Sequence, residues 1–457
     1  MKSSVVVGLG RSGLGAAKLL HAQGHQVTVL ESNANDSAKA AALRDLGINV
    51  RLGCPLDPDP FASWTGPLDQ VVISPGIAWD HPTLGSLRQK GIAVCGEMAV
   101  AWDALCHHPW IGITGTNGKT TVTHLLQHVL SHAGLQAPIA GNVGHSAAEL
   151  ALDCHIGAHP QPDWIVMELS SYQIEAAAQV APRIGIWTTL TPDHLERHGT
   201  LAAYRAIKRG LLARSEQAVL NADDPDLCHH HHQWPDATWV STSATPPVPC
   251  TLWIDREHWV RNRQQRLFPA NALPLPGNHN RQNMLLVTAA ALQAGLASST
   301  IAAALRCFPG VPHRLEPLGI VKGMRVYNDS KATNYAAAAV GLRAVEAPVI
   351  VLAGGQTKQG DASEWLGLLH ERAAAVVLFG HGADELEALI ANSSFDGPVA
   401  NVDTLDAAVR EALALTCNQA AHSLLLSPAC ASFDHYSNFE ARGEHFCQLI
   451  RAIQSKG

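Results

Sequence analysis

The segment Thr114-Gly115-Thr116-Asn117-Gly118-Lys119-Thr120-Thr121 constrains this 457-residue chain more than any other feature. It follows the apolar run Ile111-Gly112-Ile113 and precedes a helix-forming stretch at 122–130. Consecutive backbone N–H groups at such a strand–loop–helix junction cradle phosphates, the lysine offsets β/γ charge, and a threonine hydroxyl reaches Mg²⁺. The strict GxxxxGK[ST] spacing is missed because residue 113 is Ile, yet Gly118-Lys119-Thr120 is intact. The loop predicts a parallel sheet and a nucleoside triphosphate substrate.

Around it, short β-branched runs alternate with Ala- and Leu-rich stretches in three successive rhythms. The first runs from 4–7 to 70–73, the second from 109–113 to 218–220, and the third from about 311 to 423–426. Alternation of this kind means βαβ units. We expect an α/β protein of three domains: 1–98, Rossmann-like; 99–310, a central phosphate-loop ATPase-like parallel sheet; and 311–457, Rossmann-like again. The stretch 229–276 holds His229, His230, His231 and His232, many prolines and scattered tryptophans. It reads as an irregular or antiparallel excursion, its histidines a solvated loop without a native metal role.

Composition removes other classes. At 47% hydrophobic and 16% charged, the chain is too apolar for intrinsic disorder. A net charge of −7 leaves no basic surplus for a nucleic-acid backbone. No run approaches the roughly 18 apolar residues of a membrane span, and residues 1–5 lack a signal peptide's apolar stretch. None of the ten cysteines forms CxxC, so they read as thiols of a reduced compartment. A cytoplasmic protein is expected, and a monomer, since no coiled-coil pattern is present.

A second glycine loop, Gly8-Leu9-Gly10-Arg11-Ser12-Gly13, matches GxGxxG, with Glu31 at the end of the next strand. Read alone it is a dinucleotide fingerprint in which Glu31 takes ribose hydroxyls. Its physics fits any diphosphate equally well, since glycines admit the pyrophosphate and a helix N-terminus faces it.

Other polar clusters sit at strand ends. Glu168, in Glu168-Leu169-Ser170-Ser171, is placed beside the phosphate loop as a first metal ligand; Asp193-His194 ends a later strand and offers His194 to a second. Gly277-Asn278-His279-Asn280-Arg281-Gln282-Asn283 opens a helix with amides that either read a base or cap the helix. Arg314 stands at the start of the last domain. Three further polar loops follow strands there: 328–334 (NDSKATN), 354–358 (GGQTK) and 427–434 (SPACASFD).

Together these strings resemble the Mur ligase family, and the likeness covers nearly the whole chain in order. TGTNGKTT and HNxxN mark the wider superfamily, which includes folylpolyglutamate synthetase; NDSKATN and SPACASFDxxxNFxxRG resemble the glutamate-adding branch. The DNPR motif of the diaminopimelate- or lysine-adding branch is absent.

The resemblance implies ATP-dependent amide synthesis. The carboxylate of UDP-N-acetylmuramoyl-L-alanine is phosphorylated by ATP, and the amine of D-glutamate then displaces phosphate. It implies two Mg²⁺ ions, one held by Thr120 and Glu168, the other by His194 and a carbamylated Lys208 in Tyr204-Arg205-Ala206-Ile207-Lys208. By itself Lys208 is a solvated helix lysine. Gly8, Arg11, Ser12, Glu31, Ser32 and Gly76 are implied to hold the uridine diphosphate, and Asn142 and His194 the reacting end of the substrate. Gly115, Thr116, Asn117, Gly118, Lys119, Thr120, Thr121, Asn280, Asn283, Arg314 and Asp329 are implied for ATP. Lys119, His194, Lys208 and Lys331 are implied as catalytic, and Thr333, Lys358, Ser432 and Phe439 as the D-glutamate pocket. The family's Asp-Thr-Arg after the second strand is Glu31-Ser32-Asn33 here, which leaves the uracil contact open. Ligation of L-glutamate or folate-type addition stays an alternative, as does an NAD-dependent oxidoreductase that would leave TGTNGKTT unexplained.

Overall fold

A computed structural model describes the chain except residues 1, 36, 59, 60, 62, 63, 65, 66, 276, 358, 359, 417–419, 456 and 457. Its contacts divide the chain into two compact units, Met1–Phe308 and Pro309–Gly457.

The first unit contains two sheets. β1 (Ser3–Val7), β2 (Gln26–Glu31), β3 (Asn49–Leu52), β4 (Gln70–Ile73) and β5 (Ala93–Gly96) pair in parallel in the order β3-β2-β1-β4-β5. Every residue of β1 is buried, as expected of a strand covered on both faces. The chain order reverses between β1 and β4, so the glycine loop after β1 and the Ser74-Pro75-Gly76 loop after β4 flank one crevice.

The second sheet is built from β6 (Trp110–Thr114), β7 (Ile139–Gly141), β8 (Ile165–Glu168), β9 (Ile184–Trp187), β10 (Gln217–Asn221), β11 (Thr238–Ser241), β12 (Leu252–Ile254), β13 (Trp259–Arg261) and β14 (Arg266–Pro269). Their order is β14-β13-β12-β11-β10-β9-β6-β8-β7. β6 lies between β9 and β8, parallel to both, with Ile113 opposite Glu168 and Thr114 opposite Trp187. The phosphate loop therefore emerges between the two strand ends that carry the other candidate groups.

The expected excursion at 229–276 begins later than the sequence suggested. β11 and β12 extend the parallel sheet, and antiparallel pairing starts only between β12 and β13. Buried Trp239 and Val240 on β11 and Leu252 and Ile254 on β12 supply the apolar strand pattern that the intervening prolines obscured. The four histidines span the end of a short helix, Pro225–His229, and a 3₁₀ turn, His231–Gln233.

One apolar cluster runs from Val6, Leu19 and Met98 through Trp110 and Leu169 to Trp239, which joins both sheets into one unit. The second unit has a six-stranded sheet: β15 (Glu316–Val321), β16 (Met324–Asn328), β17 (Val349–Gly354), β18 (Ala373–Phe379), β19 (Val399–Val402) and β20 (Ser423–Leu426), ordered β15-β16-β20-β17-β18-β19. Only the β15–β16 pair is antiparallel. Val349, Val351 and Leu425 enter one core cluster and Ile350, Leu352 and Leu424 another, as the period of two requires.

Candidate active site

The phosphate loop takes its shape from two glycines. Gly115 has φ 146° and Gly118 φ 84°, regions closed to most L side chains. A Cβ on Gly115 would lie 1.9 Å from Thr188 Oγ1, and one on Gly118 2.7 Å from Asn283 Oδ1. The same crowding brings Asn283, on the helix Asn278–Gln293 that Asn280 also opens, against the loop. Lys119 Nζ donates to the carbonyls of Gly115 and Thr116, both at 2.9 Å. Thr120 and Thr121 lie in the first turn of the helix Lys119–His132, where the helix dipole favours an anion.

Glu168 ends β8 and is 2% exposed. Its Oε1 accepts from Asn142 Nδ2 at 3.0 Å, while Oε2 is buried without a hydrogen-bond partner. An orphaned carboxylate oxygen beside a phosphate loop fits a hard divalent cation, which wants oxygen ligands. On the other side of β6, His194 adopts a left-handed φ of 53° before the short helix Leu195–His198. Its ring nitrogens lie 3.6 Å from the carboxylates of Asp193 and Glu196. Such strain in a non-glycine residue persists only where surrounding structure imposes it.

Lys208 corrects the solvated-lysine reading. It is 1% exposed, with Nζ donating to Gly115 O at 3.0 Å and Thr114 Oγ1 at 3.3 Å. Burial, then the charge of Lys119, pulls its pKa down to about 7. Lys208 reaches the base of the phosphate loop from the helix Leu201–Arg214.

In the first sheet's crevice, Glu31 turns back on its own glycine loop. Oε2 accepts from Leu9 N at 2.6 Å, and Oε1 from Asn33 N at 2.9 Å and Ser32 Oγ at 3.2 Å. Burial opposes ionisation, yet these bonds hold the carboxyl below its usual range. In this arrangement the Glu31 carboxylate braces the glycine loop from the crevice side. Arg11 NH1 donates to Gly144 O at 2.8 Å, while Ser12 follows in the same helical turn. Gly76 is exposed, and a side chain there would meet nothing within 4 Å.

The second unit gathers the remaining candidates. Arg314 is exposed in a turn where His313 and Leu315 both have positive φ. Asp329 braces that turn: Oδ1 accepts from Leu315 N at 3.2 Å, and Oδ2 from Ser427 Oγ at 3.0 Å. Burial pushes its pKa up to about 7. Lys331 Nζ stands 5.8 Å from the centre of the Phe439 ring. Ser432 is buried and Thr333 half-buried at the neighbouring loops; Lys358 lies outside the described residues.

Arg442 lies in the string SPACASFDxxxNFxxRG, and the sequence assigns it no role. It is fully buried; Nε reaches Ser330 Oγ, and its terminal nitrogens reach the carbonyls of Ser330, Gly354, Cys430 and Ala431 at 2.9–3.3 Å. It therefore ties all three polar loops of this unit together. The signal was available: an arginine on the apolar face of an amphipathic helix.

A phosphate loop after β6, an interior strand of the sheet, flanked by a buried carboxylate and a buried lysine, defines a nucleoside-triphosphate-using enzyme. Comparison with known proteins narrows the class. Residues 2–96 match the Mur ligase MurD-like N-terminal domain, 113–291 the Mur ligase middle domain, and 313–430 the Mur ligase glutamate ligase domain. A protein of Parasynechococcus marenigrum named UDP-N-acetylmuramoylalanine–D-glutamate ligase is 61% identical over 459 residues, covering 100% of this chain and 99% of that one. A Prochlorococcus marinus protein of the same name is 62% identical, covering 98% and 99%. Among solved structures, the UDP-N-acetylmuramate-alanine ligase of Thermotoga maritima shares the fold with a TM-score of 0.60 at 19% identity, covering 100% of both chains. The chain belongs to the Mur ligase family. Mur ligases use ATP and Mg²⁺. Among the described residues, no helix is long and apolar enough to cross a membrane.

Proposed function

We propose that this chain is an ATP-dependent ligase that adds D-glutamate to UDP-N-acetylmuramoyl-L-alanine, a cytoplasmic step of peptidoglycan precursor synthesis. The observation that carries the reading is the phosphate loop with Lys208 beneath it and Glu168 beside it, within a chain 61% identical to a ligase of that name. Segments 1–98, 99–310 and 311–457 would serve the uridine nucleotide, ATP and the amino acid in turn.

A carboxylate at neutral pH is a poor electrophile, and phosphorylation supplies a leaving group. The substrate carboxylate attacks the γ-phosphorus and ADP departs. The glutamate amine then attacks the acyl carbon, loses a proton, and phosphate leaves. Gly115, Thr116, Asn117, Gly118 and Thr121 shape and line the phosphate cradle, and Lys119 offsets its negative charge. Asn142 and His194 orient the reacting end of the nucleotide; Asn280, Asn283, Arg314 and Asp329 serve ATP. Lys331 carries charge to the transferred phosphate, and Thr333, Lys358, Ser432 and Phe439 form the glutamate pocket. Gly8, Arg11, Ser12, Glu31, Ser32 and Gly76 form the uridine diphosphate crevice.

Thr120 and Glu168 would hold one Mg²⁺, and His194 with a carbamylated Lys208 the second. When bound, these ions offset the charge of phosphate meeting carboxylate. Carbamylation suits Lys208: its neutral amine adds to carbon dioxide, forms an N–C bond, releases a proton and becomes an anionic oxygen ligand. A depressed pKa and a cationic neighbour, Lys119, both favour that conversion.

Phosphate release from ATP tests the reading. Release that requires both the UDP-muramoyl-L-alanine nucleotide and D-glutamate supports it. Release with L-glutamate alone keeps the chemistry and changes the product, and no release with folded, ATP-bound protein overturns it.

A further inference from the structure

The loop that carries Asn142 is fastened from the first sheet's side at three successive points. Arg11 NH1 donates to Gly144 O at 2.8 Å. One helical turn on, Gly15 leaves room for the next segment: a Cβ there would lie 2.5 Å from Ser146 Oγ and 3.1 Å from Glu149 Cγ. Glu97, the residue after β5, accepts from Ala148 N through Oε1 at 2.6 Å. Glu97 is 2% exposed, and its Oε2 is buried without a hydrogen-bond partner.

Ser146 and Glu149 already form a reciprocal capping box at the start of the helix Ala147–Ile156. That motif leaves the Ala148 N–H unpaired, and Glu97 takes it. The carboxylate also faces a helix N-terminus, where negative charge is favoured. Capping alone does not require a residue from another sheet, and burying a carboxyl with one orphaned oxygen is costly. The fixed position of residues 144–148 must therefore be worth that cost.

Six residues before Ala148, Asn142 grips the proposed metal carboxylate twice. Its Nδ2 donates to Glu168 Oε1 at 3.0 Å, and its N–H to Glu168 O at 2.9 Å. A displacement of the loop would swing Oε1 and so re-aim Oε2, the oxygen left open for the cation.

We infer that Glu97 is a positioning residue for the cation site: through Ala148 and the 142–148 loop it holds Asn142 against Glu168, with Arg11 as its second fastening. The inference rests on the proposed role of Glu168. It links the wall of the nucleotide crevice to the carboxylate that faces the phosphates, by hydrogen bonds that contact no reacting atom.

Mn²⁺ binding measured by electron paramagnetic resonance, with a non-hydrolysable ATP analogue present, supplies a readout independent of turnover. Glu97→Ala should weaken Mn²⁺ at least fivefold, raise the Mg²⁺ needed for half-maximal rate by a similar factor and lower kcat more than it raises the KM for ATP. Glu97→Gln keeps an acceptor for the Ala148 N–H and should stay within twofold of wild type in Mn²⁺ affinity. Arg11→Met, at an exposed position, covers the case in which Glu97→Ala does not fold, and should shift Mn²⁺ affinity in the same direction by at least twofold. Unchanged Mn²⁺ affinity in folded Glu97→Ala, equal losses in Glu97→Ala and Glu97→Gln, or, where Glu97→Ala does not fold, unchanged affinity in Arg11→Met would overturn the inference. A wild-type protein that binds Mn²⁺ with the analogue but releases no phosphate with the nucleotide and D-glutamate would refute the proposed function and leave this inference standing.

Discussion

The two terminal nitrogens of Arg442 both donate to the carbonyl of Cys430, each at 3.1 Å. The same guanidinium reaches Ser330 and Gly354, so one side chain fixes the spacing of three loops that follow β16, β17 and β20. Among the described residues no carboxylate forms an ion pair with it, and burial lowers its pKa to about 10, which keeps it charged at neutral pH. Truncation to Met strands several buried carbonyls at roughly 1–3 kcal/mol each. Arg442→Met should therefore destabilise the protein by at least ~3 kcal/mol in thermal unfolding. Arg442→Lys should recover little, because one ammonium cannot span the three loops.

Lys208→Ala should reduce phosphate release to near background while the protein keeps its melting temperature within a few degrees. Added short carboxylates such as formate or acetate should restore part of the rate by replacing the carbamate oxygens. Wild-type turnover in Lys208→Ala would refute the ligand role.

Gly115→Ala meets two obstacles, a φ of 146° and a 1.9 Å clash with Thr188 Oγ1. The loop must open to accept it, so ATP binding by calorimetry should fall at least tenfold. Lys119→Ala keeps the backbone cradle and loses the charge. Its kcat should drop by about two to three orders of magnitude, the scale for removing one pre-aimed electrostatic group.

Glu97 also makes a pH prediction. Burial first of all, with Glu149 adding to it, raises its pKa from 4.5 to about 7, against the opposing effects of Ala148 N–H and Arg11. Between pH 4.5 and 7 the folded protein keeps a proton that the unfolded chain releases, so this group's contribution to stability falls as pH rises through that window. Glu97→Gln removes the titration. Relative to wild type, its melting temperature should climb from pH 4.5 to 7 and level off above. A difference that does not vary with pH would disprove the shift.

Local features of the chain were legible in the sequence. The phosphate loop, the strand–loop–helix alternation and the polar loops at strand ends follow from spacing and residue type alone. Contacts between distant segments were not. Nothing near Lys208 announces its burial, because the carbonyl that receives it, Gly115 O, lies 93 positions earlier. Glu31 reads as a ribose ligand because the fingerprint fixes its place in the chain but not the direction of its carboxylate. β11 and β12 were hidden by the prolines between them, and the antiparallel β15–β16 pair does not follow from the strand–helix alternation that marks this segment. Arg442 sat inside a recognised string, where its burial among carbonyls could not be seen.

The inward turn of Glu31 has a consequence for how chains like this are sorted. A search by glycine spacing would group this protein with dehydrogenases. What glycine spacing does not record is the bond from Leu9 N to Glu31 Oε2, at 2.6 Å. A loop that carries its own anion has lost one donor for a pyrophosphate and gained rigidity before any ligand arrives. Any ligand that calls on the acid at the end of β2 must compete with the loop N–H groups that already hold it.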